Sequence, residues 1–199
     1  MVDKRLNRGQ VTRQHIITTA TRLFTEEGYE GTSIEQVLQA SEVSRGALYH
    51  HFVSKEALFA VVLEEVEASI AQQVAAAARD AATPAKALRT GCLAWLALAH
   101  DPTVRQVVLI DAPSVVGWDA WREIDNRYVL GLLKTALSRA TEWERADMVD
   151  MSAHMLLAML IEVALLIARS KESATSIQTA QEAVEQFLNA FVSSESTHS

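Results

Sequence analysis

The sequence predicts an all-α protein, and three observations carry that expectation. Only seven Gly and three Pro occur among 199 residues, too few turn formers for a many-stranded sandwich or barrel. Apolar residues recur at helical spacing along most of the chain. With 49% hydrophobic and 22% charged residues, the chain has enough apolar material for one or two small cores and does not read as disordered.

Each element has its own signal. Ile16, Ile17, Ala20, Leu23 and Phe24 lie on one face of a helix from about residue 12 to Gly28, where a glycine stop is expected. Thr32, Ser33, Ile34 and Glu35 form a capping-box pattern with Thr32 as the cap, opening a short second helix that ends near Ala40. A Ser41-Glu42-Val43 turn follows. Ser44 then caps a third helix with Leu48 and Phe52 on its inner side, and Ser54 caps a fourth, longer one. In the fourth, Leu58, Val62, Val66, Ile70 and Val74 step by four residues to about Asp80.

Thr83-Pro84 and Asp101-Pro102 each place a capping side chain before a proline at the first helical position, where its missing N–H is not needed, so the fifth and sixth helices start there. After Pro113 and Gly117, the residues Trp118, Trp121, Ile124, Tyr128, Leu132 and Ala136 predict one seventh helix over 118–139. An eighth is expected over about 145–170. A ninth is expected over about 175–192, with Ile177, Ala180, Val184, Phe187, Leu188 and Phe191 on its apolar side, before a polar tail from about 193. We place a domain boundary after residue 55, giving domains 1–55 and 56–199.

Composition excludes several function classes. A single cysteine, Cys92, rules out an intramolecular disulfide framework and a multi-cysteine zinc site, and suits a reducing compartment. The first ten residues lack an apolar core, so no signal peptide is expected. The longest apolar run, 155–168, is interrupted by Glu162 and is shorter than the roughly 20 residues of a membrane span. A soluble, cytoplasmic protein without membrane partners is expected. No metal-ligand spacing, glycine-rich phosphate loop or Ser/His/Asp arrangement supports an enzyme, and no cofactor is expected.

Charge is unevenly distributed. The net charge is −7, yet residues 1–55 carry seven Lys/Arg against six Asp/Glu, whereas 56–199 carry eleven against nineteen. Lys4, Arg5, Arg8 and Arg13 face only Asp3 in the first thirteen residues. That is a basic arm on an acidic body, as expected of a chain with one end made for phosphates. A mobile, solvated terminus would look the same from composition.

The three short helices make a helix-turn-helix if the third exposes polar groups at its N-terminal half. It carries Arg45, able to donate two hydrogen bonds to guanine, beside Gly46 and Ala47, small enough for close approach to base edges. Tyr49, His50 and Lys55, with Thr32, Ser33 and the free amides of the second helix, suit phosphate contacts. A bland three-helix core with solvated polar residues is the alternative from pattern alone.

These segments resemble the TetR family of bacterial transcriptional repressors. The resemblance is carried by 16–24, by Gly28-Tyr29-Glu30-Gly31-Thr32-Ser33, by Val43-Ser44-Arg45-Gly46-Ala47-Leu48-Tyr49-His50-His51-Phe52, and by Ser54-Lys55-Glu56-Ala57-Leu58. It implies base reading by Arg45, Gly46 and Ala47, and phosphate or sugar contact by Thr32, Tyr49, His50 and Lys55. It also implies a buried, hydrogen-bonding role for His51 and a helical C-terminal domain for ligand binding and dimerisation. The segment 108–122, with Asp111, Pro113, Gly117, Trp118, Trp121 and Arg122, resembles one that recurs in a subgroup of these regulators.

Within the C-terminal part, every methionine after Met1 lies in the predicted eighth helix. Met148, Met151, Met155 and Met159 fall within about 80° of one another on a helical wheel, with Glu162 in the same sector. Such a flexible stripe suits an effector pocket; plain core or a dimer interface are the other readings. A buried Glu162 would need Arg122, Arg127 or a cationic ligand group. Trp95, His100, Trp118, Trp121 and His154 are further candidates for pocket walls. The expectation is a homodimeric repressor, paired through the predicted eighth and ninth helices, that binds a near-palindromic double-stranded DNA operator and is released by a small, largely apolar or aromatic effector. A regulator with no small-molecule ligand, or one controlled by a protein partner, is the alternative.

Overall fold

A computed structural model describes residues 3–141, 145–169 and 174–193, with side chains for 8–141, 145–167 and 178–190. Among these residues every regular element is helical: α1 (Asp3–Gly31), α2 (Ile34–Ser41), α3 (Arg45–His51), α4 (Lys55–Ala78), α5 (Pro84–Leu98), a π-helix (Val104–Asp111), α6 (Ala112–Val115), α7 (Trp118–Arg127), α8 (Val129–Ala140), α9 (Ala146–Arg169) and α10 (Ala174–Ser193). The side chains of Lys4, Arg5, Ile177 and Phe191, and most of the polar tail, lie outside the described residues.

The chain divides into two compact units, Met1–Val66 with Pro102–Trp121, and Glu67–Asp101 with Arg122–Ser199. This differs from a boundary after residue 55, because the first turns of α4 complete the N-terminal core. Phe59 packs edge-on to both Phe24 and Tyr29 at 5.2 Å between centroids, and Leu58, Val62 and Leu63 are fully buried with Ile16, Ile17 and Leu48. The 102–121 segment joins the same unit: Thr25 donates a hydrogen bond to Thr103 at 3.1 Å, and the Tyr29 N–H donates to the Asp111 carboxylate at 2.8 Å.

Local rules explain the element ends. Gly28 breaks α1 with φ +72, a left-handed conformation that strains any side chain. A Cβ there would also lie 3.2 Å from the Gln106 amide. The capping box exists one residue later than its predicted position. Ser33, not Thr32, accepts from the Gln36 N–H at 3.2 Å, and the Ser33 N–H donates in return to the Gln36 Oε1 at 2.6 Å. Ser44, Ser54 and Thr83 cap α3, α4 and α5 as expected.

The π-helix precedes Pro113, which lacks the N–H that would bond the Leu109 carbonyl, and the Ala112 N–H instead reaches the Val107 carbonyl. The single helix expected over 118–139 is two, α7 and α8, broken at Tyr128 (φ −111, ψ −85). The buried side chains of α8 are Val129, Leu130, Leu133 and Leu137. That stripe is out of phase with the 121/124/128/132/136 stripe, and the break resets the phase.

The second unit packs α5 against α8 and α10, and α9 against α8, α5 and α10. Its core holds Leu88, Cys92, Leu96, Leu130, Leu137, Leu156, Leu157, Leu160, Val184 and Leu188. By length and composition α9 is apolar enough over Ala146–Ile167 to cross a membrane, with 39% of that stretch buried inside the protein. An uninterrupted-run criterion did not anticipate this, because Asp147, Asp150 and Glu162 punctuate an otherwise very apolar sequence. Its inner face, Ala153, Leu156, Leu157, Leu160 and Ala164, is core.

Candidate DNA-reading surface and ligand cavity

In the N-terminal unit, α3 is anchored by its apolar side and open on the other. Leu48 is fully buried and Phe52 nearly so, with the Arg13 guanidinium 5.5 Å above the Phe52 ring. Arg45, Gly46, Tyr49 and His50 are exposed and Ala47 half-exposed, together on the outer face. A Cβ on Gly46 would meet nothing within 4 Å. No packing inside the unit demands a glycine there, although glycine weakens a helix interior by about 1 kcal/mol relative to Ala.

Arg45 is not idle. Its guanidinium donates to Glu35 of α2 at 2.7 Å, with both side chains well exposed. That hydrogen bond holds the Glu35 carboxyl below its ordinary range. Glu35 is free for this role because Gln36, not Glu35, occupies the third position of the capping box. Sequence reasoning missed the pair through that one-residue error.

Two residues expected to face phosphate are turned inward. Thr32 is 1% exposed and its hydroxyl donates to the Gly28 carbonyl at 2.8 Å, so its side chain locks the turn after Gly28. The Lys55 ammonium donates to the Tyr29 and Thr32 carbonyls at 2.9 and 3.0 Å and sits 3.9 Å from the Tyr29 ring centroid. It ties down two backbone carbonyls at the end of α1, of which that of Tyr29 also accepts the Thr32 N–H at 3.3 Å. Asp111 completes the lock, holding the Tyr29 N–H with one oxygen and the Gln106 amide, at 3.1 Å, with the other. Ser33 remains exposed. His51 is half-buried, with its pKa lowered by burial and by the positive charge of His50 and Arg13.

The second unit contains a cavity of about 450 Å³ walled by the last turns of α4 and by α5, α8 and α9. Of the residues expected to line a pocket, Trp95 alone does so, 5% exposed beside Cys92. The Cys92 thiol is pushed up to about 12 by burial. The methionine stripe lies elsewhere. Met148, Met151 and Met155 are 43%, 60% and 67% exposed, Met159 is half-buried and Glu162 exposed, so they form the outer face of α9. Glu162 therefore needs no buried partner. Arg122 instead pairs with Asp125 at 3.3 Å.

His100 is exposed, and His154 is exposed beside Asp150 at 3.7 Å. Trp118 is 58% exposed and stacks edge-on against the buried Trp121 in the N-terminal unit. Spacing alone does not say which face of a helix meets a void, because that is set by the neighbouring helices. Sequence reasoning also missed a buried acid. Glu67 of α4 is 2% exposed, and burial together with the charge of Asp125 raises its pKa to about 8. Neither carboxylate lines the cavity.

Comparison with known proteins agrees with the helix-turn-helix and with the helical second unit. Residues 85–191 match the family described as tetracyclin repressor-like, C-terminal domain, and residues 16–62 match bacterial regulatory proteins of the tetR family. The chain belongs to the TetR family of bacterial regulatory proteins.

Among characterised relatives, the HTH-type transcriptional repressor DhaR of Mycobacterium sp. (strain GP1) is 36% identical over 72 residues, 36% of either chain. The chain thus matches about a third of the length of such relatives. A solved TetR-family transcriptional regulator from Pectobacterium atrosepticum is 26% identical, with a TM-score of 0.76 over 94% of this chain and 96% of that one. The transcriptional regulator FadR of Bacillus subtilis, solved in complex with stearoyl-CoA, is 16% identical and shares the fold, with a TM-score of 0.71 over 88% and 96%.

Proposed function

We propose that the protein is a cytoplasmic transcriptional repressor that binds a near-palindromic operator as a homodimer and is released when a small molecule enters the cavity of the second unit. The observation that carries this reading is the outer face of α3. Arg45, an open Gly46, Ala47, Tyr49 and His50 project from a short helix whose opposite side is sealed by Leu48 and Phe52. Arg45, Gly46 and Ala47 read base edges in the major groove, while Ser33, Tyr49 and His50 contact the backbone. Thr32 and Lys55 serve the same surface indirectly by fixing the turn that leads into α2.

Dimerisation is supported by the outer faces of α9 and α10. Met151, Met155, Leu166 and Phe187 are 46–67% exposed, and the first three follow one stripe along α9. Apolar patches of this kind mark interaction sites, and an isologous α9–α10 contact places two reading heads about a single two-fold axis. Successive major grooves then lie about 34–36 Å apart. Release requires that the ligand prefer the DNA-incompetent arrangement; moving the balance from 1:99 to 99:1 takes about 5.5 kcal/mol of preference. A cavity of about 450 Å³ supports a regulator with a ligand over one whose interior is filled by side chains.

The test is fluorescence anisotropy on DNA from upstream of the protein's own gene, at two salt concentrations and against random-sequence competitor. We expect binding that survives competitor and tightens at low salt. Arg45→Ala should lose roughly 1–3 kcal/mol of preference at one base-pair position while random DNA binding changes little. Equal losses on both DNAs would remove Arg45 from base reading, and no binding at low salt would refute the DNA-binding role.

A further inference from the structure

The cavity of the second unit has a charge bias opposite in sign to the net charge of the chain. Acidic residues outnumber basic ones, 25 to 18, yet among the described residues the cavity lining contains no Asp or Glu and two arginines, Arg79 and Arg139. Arg79 follows the end of α4 and Arg139 sits in the last turn of α8. Both are exposed, whereas Trp95, Leu157 and Leu160 on the same wall are buried. The arginines therefore stand where the cavity meets solvent, and the apolar walls lie behind them.

Five arginines elsewhere are matched with carboxylates: Arg22 with Glu26, Arg45 with Glu35, Arg89 with Glu185, Arg122 with Asp125 and Arg145 with Asp147. Arg79 and Arg139 have no such partner among the described residues.

We propose that the cavity takes an apolar organic anion. Its chain or ring lies against Leu88, Trp95 and Leu160, and its carboxylate or phosphate is held by the Arg79 and Arg139 guanidinium groups. Guanidinium is the side chain best matched to an oxyanion, through paired N–H donors. Burial of the tail supplies the driving force, and the volume is within the range of drug-sized ligand sites. A cationic amphiphile meets two positive charges and, among the described lining residues, no carboxylate. A neutral one leaves the guanidinium groups to water and gains nothing from them. The proposal rests on the ligand-responsive reading only for its consequence at DNA, since binding is measured without DNA.

The experiment titrates the full chain with decanoate, decanoyl-CoA, decanol and decylamine below their micelle concentrations, following Trp fluorescence and isothermal titration calorimetry. Decanoate or decanoyl-CoA should bind at least about tenfold tighter than decanol and decylamine. Preference for decanoate assigns a free carboxylate, and preference for decanoyl-CoA assigns the phosphates of a carrier. The double variant Arg79→Gln/Arg139→Gln should bring the anion down to the affinity of decanol and leave decanol binding unchanged. Arg79→Lys/Arg139→Lys should keep part of the preference, which separates loss of charge from loss of fold.

Equal affinity for all four probes, tighter binding of decylamine, no binding by any, or an unchanged preference in the Gln variant would each overturn the proposal. Anion binding that leaves the operator complex intact would sustain the site and refute release by ligand.

Discussion

Replacing Glu67 with Gln should flatten the pH dependence of stability of this protein. The carboxyl is 2% exposed on α4 and faces the like charge of Asp125, and its pKa rises from 4.5 to about 8 chiefly through burial. Arg122, the neighbouring cation of that cluster, is committed to Asp125 at 3.3 Å. Below pH 4.5 the group is protonated in both folded and unfolded chains and adds no pH dependence. Between pH 4.5 and 8 the unfolded chain releases the proton and the folded chain keeps it, so stability falls as pH rises across that window.

At about 1.36 kcal/mol per unit, the loss reaches roughly 3 kcal/mol by pH 7 and roughly 5 kcal/mol above pH 9. Glu67→Gln keeps the shape of the protonated acid and cannot ionise. It should therefore be more stable than the parent at pH 7 by up to about 3 kcal/mol and match it near pH 4.5. Urea unfolding followed by far-ultraviolet circular dichroism, at fixed protein concentration from pH 5 to 8.5, measures the difference. Asp125→Asn removes the like charge and should reduce the slope in the same direction. Parallel curves for parent and Glu67→Gln would show that Glu67 is ionised and matched in the folded state, and would refute the reasoning.

Two further outcomes are expected. Met155→Asp, at the most exposed large apolar side chain described on α9, should convert the proposed dimer to a monomer of 21.9 kDa in analytical ultracentrifugation while leaving the helical circular dichroism intact; an unchanged mass would move the interface off this face. Lys55→Met should lower stability by about 1–2 kcal/mol in the absence of DNA, because two part-buried carbonyls lose a charged donor and that of Thr32 has no other partner among the described residues. A loss confined to DNA affinity, with stability unchanged, would assign the ammonium to phosphate instead.

Much of the N-terminal unit is legible in the sequence because its signals are local. The glycine stop at Gly28, the caps at Ser44, Ser54 and Thr83, and the inward Leu48 and Phe52 each depend on residues within one or two turns. The errors are also local in origin and tertiary in consequence. Thr32 and Ser33 are equivalent caps by type, and the choice between them is made by packing around Gly28, Tyr29 and Lys55. That choice sends Thr32 inward and leaves Glu35 to Arg45. Likewise, the spacing of Trp118, Trp121, Ile124, Tyr128, Leu132 and Ala136 is a sound helical stripe, yet the chain breaks at Tyr128 so that Leu130, Leu133 and Leu137 reach the core.

The sequence by itself determined that this is an all-α chain with a helix-turn-helix of the TetR family, since periodicity, capping and a contiguous motif of about fifty residues are properties of neighbouring residues. The tertiary structure alone decided which apolar surfaces are interior. The methionine stripe of α9 satisfies helical amphipathicity equally well facing in or out, and only the packing of α5, α8 and α10 on the opposite side leaves it exposed. The cavity is the space between four helices drawn from separate stretches of chain. Arg79 and Arg139, sixty residues apart, both line it because helix packing, not sequence proximity, brings α4 and α8 to the same cavity.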